Sequence, residues 1–301
     1  IFKGTKKRKA YHILSFMEDV GGELNAYTTK EETCIYSSFM PEYYDRAFDL
    51  FKDIIFNSEY PAKELKKEKA VVIDEINSYK DNPSEQIFDD FEEKLFNTHS
   101  IGKNILGTPE LVNSFDKKNI KSFIKKNYLT DQMVICSVGN IEFSQLIKKS
   151  EKYFADIKPT TERKKRKSFN KYTPFHETIK HYGHQTHAKI GTIAYHANHE
   201  KRTAMILLNN LLGGPGMNSR LNLGLREKYG FTYSIESHFT PYSDTGIFSI
   251  YLASESDKIN RCIYLVKKEL LKLQSKPLGP HQLKKAKQQL IGQIAIGQES
   301  E

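Results

Sequence analysis

Apolar residues recur with a helical period in some stretches of the chain and with a period of two in others, and these two patterns divide it into elements. Residues 11–20 follow the 3.6 period and stop at Gly21-Gly22, a pair suited to a helix C-terminus. Residues 24–40 alternate and are rich in Thr, Tyr and Ser, which predicts a pair of strands. Pro41 opens an amphipathic helix with Ala47, Leu50, Phe51, Ile54 and Ile55 on one face, and Pro61 opens another that runs through Lys80. Residues 132–138 (QMVICSV) read as a short buried strand and residues 143–154 as a helix.

The second half is built in a similar way. Residues 188–195 (AKIGTIAY) predict a strand, 203–212 a helix, and 220–229 a helix that ends at Gly230. Residues 231–237 and 246–252 alternate as strands, and helices follow at 258–273 and 280–296. MEDVG (17–21) and REKYG (226–230) each close a helix ahead of an alternating segment, a faint repeat at an offset of about 209 residues. Between the halves, PTTERKKRKSFNKYTP (159–174) is basic, bounded by prolines and without apolar periodicity, so it reads as a linker. The expected organisation is a lobe at 1–158, a linker at 159–174 and a lobe at 175–301. Helices and strands mix without strict alternation, which predicts an α+β fold of two related lobes, each a mostly antiparallel sheet layered with helices.

Composition narrows the class. Hydrophobic residues make up 38% and charged residues 28%, ordinary for a globular protein and too apolar for wholesale disorder. No stretch approaches the ~20 apolar residues of a membrane span, so no membrane partner is expected. The first residue is Ile1, which leaves a removed targeting segment open. The net charge of +9 raises a nucleic-acid partner, but the excess lies in short runs at 6–9, 66–67 and 163–167 with no interleaved aromatics. No helix-turn-helix or zinc-finger spacing is present either, so nucleic acid is not expected as a partner. Cys34, Cys136 and Cys262 lie far apart beside apolar residues, which argues against a disulfide scaffold and for small buried hydrophobes.

The most informative segment is KELKKEKAVVIDEINSYKDNPSE, from Lys63. Glu68 and Glu75 are two helical turns apart and share one face. Glu75 stands between Ala70-Val71-Val72-Ile73 and Ile76, where a buried carboxylate costs free energy unless it is paired, hydrogen-bonded or bound to a metal. A surface helix with Glu–Lys pairs explains Glu68 well and Glu75 poorly.

IFKGTKKR at the start, then GGELNAYTTKEETCIYSSF and EKAVVIDEI, resemble the pitrilysin/insulinase family of zinc peptidases. In that family an HxxEH helix leads into an FKGT-like segment, and a glutamate further on is the third zinc ligand. Counting back from Glu75 by the family's interval places the second His just before Ile1. The resemblance implies that Glu75 is that ligand, with Zn²⁺ as cofactor, and that Glu68 is an accessory glutamate acting on the ligand shell. It implies that Asn25-Ala26-Tyr27-Thr28, matching the family's NAxT pattern, forms a sheet edge on which a peptide substrate adds as a strand. GGPGMNSRLNLGLREKYGFTYSI resembles the second-lobe signature, in which Arg226 and Tyr233 would donate to a substrate carbonyl and its developing oxyanion.

The resemblance thus implies a clamshell-type zinc endopeptidase that cleaves unfolded peptides or presequence-like segments, an active homodimer, and a cytoplasmic location with an organelle matrix left open. The two His ligands and the general-base Glu are not among these residues, and members of the short type continue beyond the last helix. The rival is a family subunit without HxxEH that serves as a structural or substrate-binding partner. His176-Glu177-Thr178-Ile179-Lys180-His181 imitates HExxH with one residue too many, so on a helix its imidazoles would diverge by about 140°. With His184, His187, His196 and His199 it is read as surface or strand histidine rather than as a second metal site.

Overall fold

In a computed structural model the chain is described at residues 1–97, 99–160, 166–181 and 183–299. It divides into two compact units, Ile1–Ser78 with Ile105–Arg166, and Tyr79–Asn104 with Lys167–Glu301. The expected linker straddles the third crossing between units, at Arg166 and Lys167, and its residues 161–165 lie outside the described residues.

Unit 1 is built on α1 (Ala10–Glu18), the hairpin β1 (Glu23–Thr28) and β2 (Thr33–Ser38), and α2 (Tyr44–Phe56). α1 ends where Gly21 takes φ +74° and the Gly21 and Gly22 amides bond to the carbonyls of Glu18 and Met17, the glycine C-terminus that the sequence predicts. Ile13, Met17, Ala47, Leu50 and Ile54 meet with no exposed surface, and Leu24 and Ile35 of the hairpin pack on them. Around this core run α3 (Ala62–Lys80), α5 (Pro109–Ser114), α6 (Lys117–Asn127) and α7 (Phe143–Phe154). α7 is fastened to α2 by Asp45, which pairs with Lys149 and Lys152 and accepts the Tyr153 hydroxyl at 2.8 Å.

A second fastening holds the N-terminal turn. Asp53, 1% exposed on α2, accepts the Thr5 hydroxyl at 2.7 Å and the Arg8 guanidinium at 2.6 Å, while Arg8 also pairs with Asp49. Arg8 and Arg46 both lie over the Phe16 ring, at 4.3 and 4.2 Å from its centroid.

Unit 2 holds an antiparallel sheet in the order β3 (Thr186–Ala194), β5 (Gly246–Ser254) and β4 (Thr232–Pro241). β5 (GIFSIYLAS) is buried along its length as the centre strand. One face carries Ile235, Phe248, Ile250 and Leu252 against Leu212 of α8 (Arg202–Gly213) and Cys262 and Val266 of α9 (Ile259–Ser275). The other face is covered by α4 (Pro83–Phe96): Ile247 packs on that helix at one end, and Lys189, Tyr251 and Glu236 form a polar row across the three strands. The Lys189 ammonium lies 3.7 Å from the Phe88 centroid, and burial pulls its pKa down to about 8 despite Glu92, Asp89 and Glu236 nearby. α10 (Pro280–Glu299) follows α9.

The two lobes expected from sequence are thus recognisable as α+β units with antiparallel sheets, with three differences. Residues 79–104 belong with the second unit, because Phe91, Leu95 and Phe96 of α4 pack with Ile101, Tyr242 and Ile247. Residues 132–138 are not a buried strand: after a short 3₁₀ turn the segment is irregular, and Val134 and Val138 are about nine-tenths exposed. Among the described residues it pairs with no strand, and without a ladder partner its apolar alternation has nothing to be buried against. Of the three cysteines, Cys262 is buried as expected, Cys34 is half-buried and Cys136, in that same open segment, is exposed.

Candidate active site

The candidate residues fall into two groups, one per unit. In unit 1, α3 carries Glu68 and Glu75. The helix packs through Ile76, and the apolar stretch before it is largely open, Val71 included. Glu75 is exposed on that open side. The expectation that it bears a desolvation cost is therefore corrected: its neighbours in sequence are apolar, but the helix turns its carboxylate away from the one buried position. Glu68 lies two turns earlier on the same face and pairs with Lys3 Nζ at 3.0 Å.

β1 carries the other unit 1 candidates. It bonds to β2 in a register that sets Asn25 opposite Tyr36, Ala26 opposite Ile35, Tyr27 opposite Cys34 and Thr28 opposite Thr33. Its other side meets no strand among the described residues, which leaves an open sheet edge. The Asn25 side-chain oxygen accepts the Ala26 amide at 2.8 Å. Tyr27 packs on Tyr36 with the rings tilted by 52°, 6.2 Å between centroids, and its phenol is pushed up chiefly by a hydrogen bond with Cys34.

In unit 2, Arg226 lies in a π-helical segment, Asn222–Glu227, that continues from two α-helical residues, 220 and 221, and closes at Gly230 with φ +63°. The sequence predicts an ordinary helix there; the wider turn is a form that tends to mark functional positions. Arg226 is partly exposed, with Glu227 at 3.8 Å. Tyr233 is the extra residue of a β-bulge, since Thr232 pairs with Ser254 and Ser234 with Ala253. The Thr232 hydroxyl locks the bulge by donating to the Ser234 and Ala253 carbonyls, and Tyr233 is thrown outward, 86% exposed.

Among the described residues, no three His, Cys, Asp or Glu side chains come together in a way that could hold a metal ion. His176 and His181 lie in irregular exposed chain, His187 bonds to the Tyr251 hydroxyl at 2.8 Å, and His196 and His199 accept amides of their own turn. Among the described residues the histidine-rich stretch forms no such cluster.

Sequence reasoning gave no element between Lys80 and residue 132, and so missed α4, α5 and α6. Their signals were present: Thr108 and Asp116 each cap a helix through the amide three residues on, and Asn119 completes the capping box of α6.

The family models place both halves. Residues 1–109 match the model described as insulinase (peptidase family M16), and residues 114–290 match the M16 peptidase inactive domain. The chain belongs to the M16 insulinase family. It is 33% identical to YmxG of Bacillus subtilis, described as an uncharacterized zinc protease, over 99% of this chain and 72% of that protein. An uncharacterized zinc protease of Rickettsia bellii is 30% identical over the same shares of the two chains. In fold, the crystal structure of an M16 inactive domain from Pseudomonas fluorescens matches with a TM-score of 0.90 at 22% identity, covering 96% of this chain and 71% of that one.

Proposed function

We propose that this chain serves a zinc-dependent endopeptidase that cuts unfolded peptides or presequence-like segments. The observation that carries the reading is that Glu68 and Glu75 share one solvent-open face of α3, in a family whose relatives are named zinc proteases. A metal ligand has to be reachable, and an exposed carboxylate on a rigid helix meets that need better than the buried one expected from sequence.

The residues present do not make a zinc site by themselves. Glu75 offers one carboxylate, no HxxEH occurs in the 301 residues, and no cluster of three donors occurs among the described ones. Zinc enters the reading only together with ligands outside these residues. What this chain's own residues would do is bind and orient: the open edge of β1 at Asn25-Ala26-Tyr27-Thr28 takes a peptide as an added strand through backbone hydrogen bonds. Arg226 and Tyr233, both presented outward, donate to a peptide carbonyl. Because one chain holds both groups of residues, we read the assembly as a homodimer, cytoplasmic, with residues 159–174 as the linker between its lobes.

A second reading, a non-catalytic partner subunit, takes its support from the match of residues 114–290 to a domain described as inactive. One experiment separates the two. The polypeptide as its gene encodes it is purified, its zinc content measured and its hydrolysis of a quenched peptide followed, beside a Glu75→Gln variant. Zinc near one per chain with turnover, both lost in the variant, supports the peptidase. A Glu75→Gln protein with full zinc and normal turnover removes Glu75 from the site, and a parent protein with neither supports the subunit.

A further inference from the structure

The side of α3 turned away from Glu68 and Glu75 has a use of its own. At about 100° per residue, Leu65, Lys66, Lys69, Ala70 and Ile73 fan over one side of the helix, centred about 140° round from the two glutamates. With Phe115, at the joint between α5 and α6, and the first turn of α6, that side lines an open groove of about 860 Å³.

The floor of the groove is apolar and its rim is cationic. Leu65, Ala70, Ile73 and Phe115 supply the floor, while Lys66 and Lys69 stand on one side and Lys117, Lys118 and Lys121 on the other. The acid in the lining, Asp116, already accepts the Asn119 amide at 2.8 Å as the cap of α6. Lys69 donates to the Asn113 carbonyl at 2.8 Å and keeps its charge. The other four lysines form no ion pair among the described residues, and the N-terminus of α6 adds its positive dipole end to the same rim. Five cations around an apolar floor make a potential that selects for negative charge.

We propose that this groove binds an acidic segment of a partner protein, with apolar side chains seated on the floor and carboxylates on the lysine rim. The concave lining favours a peptide over a bilayer, which takes up apolar residues from a convex helix face. The lining also favours a peptide over a nucleic acid, because Phe115 is its one aromatic and offers no stacking series. The groove faces away from the candidate metal ligand, so the inference does not depend on the peptidase reading.

The test is fluorescence anisotropy of the chain with a labelled peptide that sets leucines among glutamates at helical spacing. The controls are the same peptide with glutamine for glutamate, and vesicles of phosphatidylglycerol. The acidic peptide should bind roughly ten-fold more tightly than its glutamine counterpart and weaken as salt is raised. Lys118→Glu combined with Lys121→Glu should cut its affinity by a similar factor, and Phe115→Ser should weaken both peptides alike, with circular dichroism confirming that each variant is folded. Equal binding of the two peptides, indifference to the charge reversal, or binding to vesicles with none to peptide would overturn the proposal.

Discussion

Replacing Lys189 by methionine keeps most of the side chain's length and removes its charge, which puts the polar row of the unit 2 sheet to a quantitative test. The ammonium is enclosed by Phe88 and Phe91 of α4, with Glu92 and Asp89 on the same helix, Glu236 on β4, Tyr251 on β5 and His187 on its own strand. Burial outweighs the three carboxylates, and the pKa falls from its ordinary 10.5 to about 8. The unfolded chain therefore binds more protons than the folded one between pH 8 and 10.5, and stability rises with pH across that window. The rise amounts to about 3 kcal/mol at 1.36 kcal/mol per unit of pKa difference. Below pH 8 the lysine is charged in both states and the full cost is present. Methionine removes that cost but forfeits the cation–π contact, about 0.5–1 kcal/mol, and leaves the carboxylates without their cation. A net stabilisation of about 1–2 kcal/mol at pH 7 remains. The assay is urea unfolding followed by circular dichroism at pH 7, 8, 9 and 10 for both proteins. The unit 2 transition is identified by Leu252→Ala, which removes a fully buried side chain from its core. A parent protein whose unit 2 stability stays flat from pH 8 to 10, or a variant that retains the parent's rise, would refute the reasoning.

The other predictions concern unit 1 and the candidate site. Asp53→Ala removes one of the two carboxylates paired with Arg8 and the acceptor of the Thr5 hydroxyl and should destabilise unit 1 by about 2 kcal/mol, with Asp53→Asn costing less because it keeps the Thr5 contact. A loss under about 0.5 kcal/mol on urea unfolding of the alanine variant would show the Arg8–Asp49 pair to be sufficient. Cys136 should react with a maleimide well before Cys262 in the native chain, as read by mass spectrometry of the labelled peptides; equal rates would contradict the open course of residues 132–138. Arg226→Ala or Tyr233→Phe in the polypeptide as its gene encodes it should lower turnover on peptides and leave zinc content intact, and loss of metal would mean that the unit 2 residues are misassigned.

Much of the fold was legible because punctuation and periodicity agreed. Gly21 and Gly230 marked helix ends and both adopt positive φ; Pro41 and Pro61 stood just ahead of helices; and the alternating segments became β1, β2, β4 and β5. Where reading failed, the missing information was tertiary. Residues 132–138 carry a strand's composition, but a strand exists only through its neighbour's hydrogen bonds, and pattern alone does not supply a neighbour. The direction in which Glu75 points was hidden for a related reason. Apolar neighbours in sequence are spread round the whole helix, so they do not reveal which face is buried; Ile76, one residue on, is, while Val71 and Glu75 are not.

Stability and candidate chemistry are carried by different faces of the same elements. α3 is held through Ile76 while Glu68 and Glu75 stay open, and β1 is held by β2 while its far edge is unpaired. β4 gives Ile235 to the core and, through one extra residue, turns Tyr233 out of it. A rigid element that is anchored on one side positions a side chain on the other without requiring it to move when a ligand arrives. Substitutions at Glu75, Arg226 and Tyr233 should accordingly leave folding almost untouched, because surface changes away from buried partners are worth within about 0.5 kcal/mol. Activity lost by such a variant can then be read as a property of the site, whereas the same loss after Asp53→Ala cannot be separated from the unfolding of unit 1.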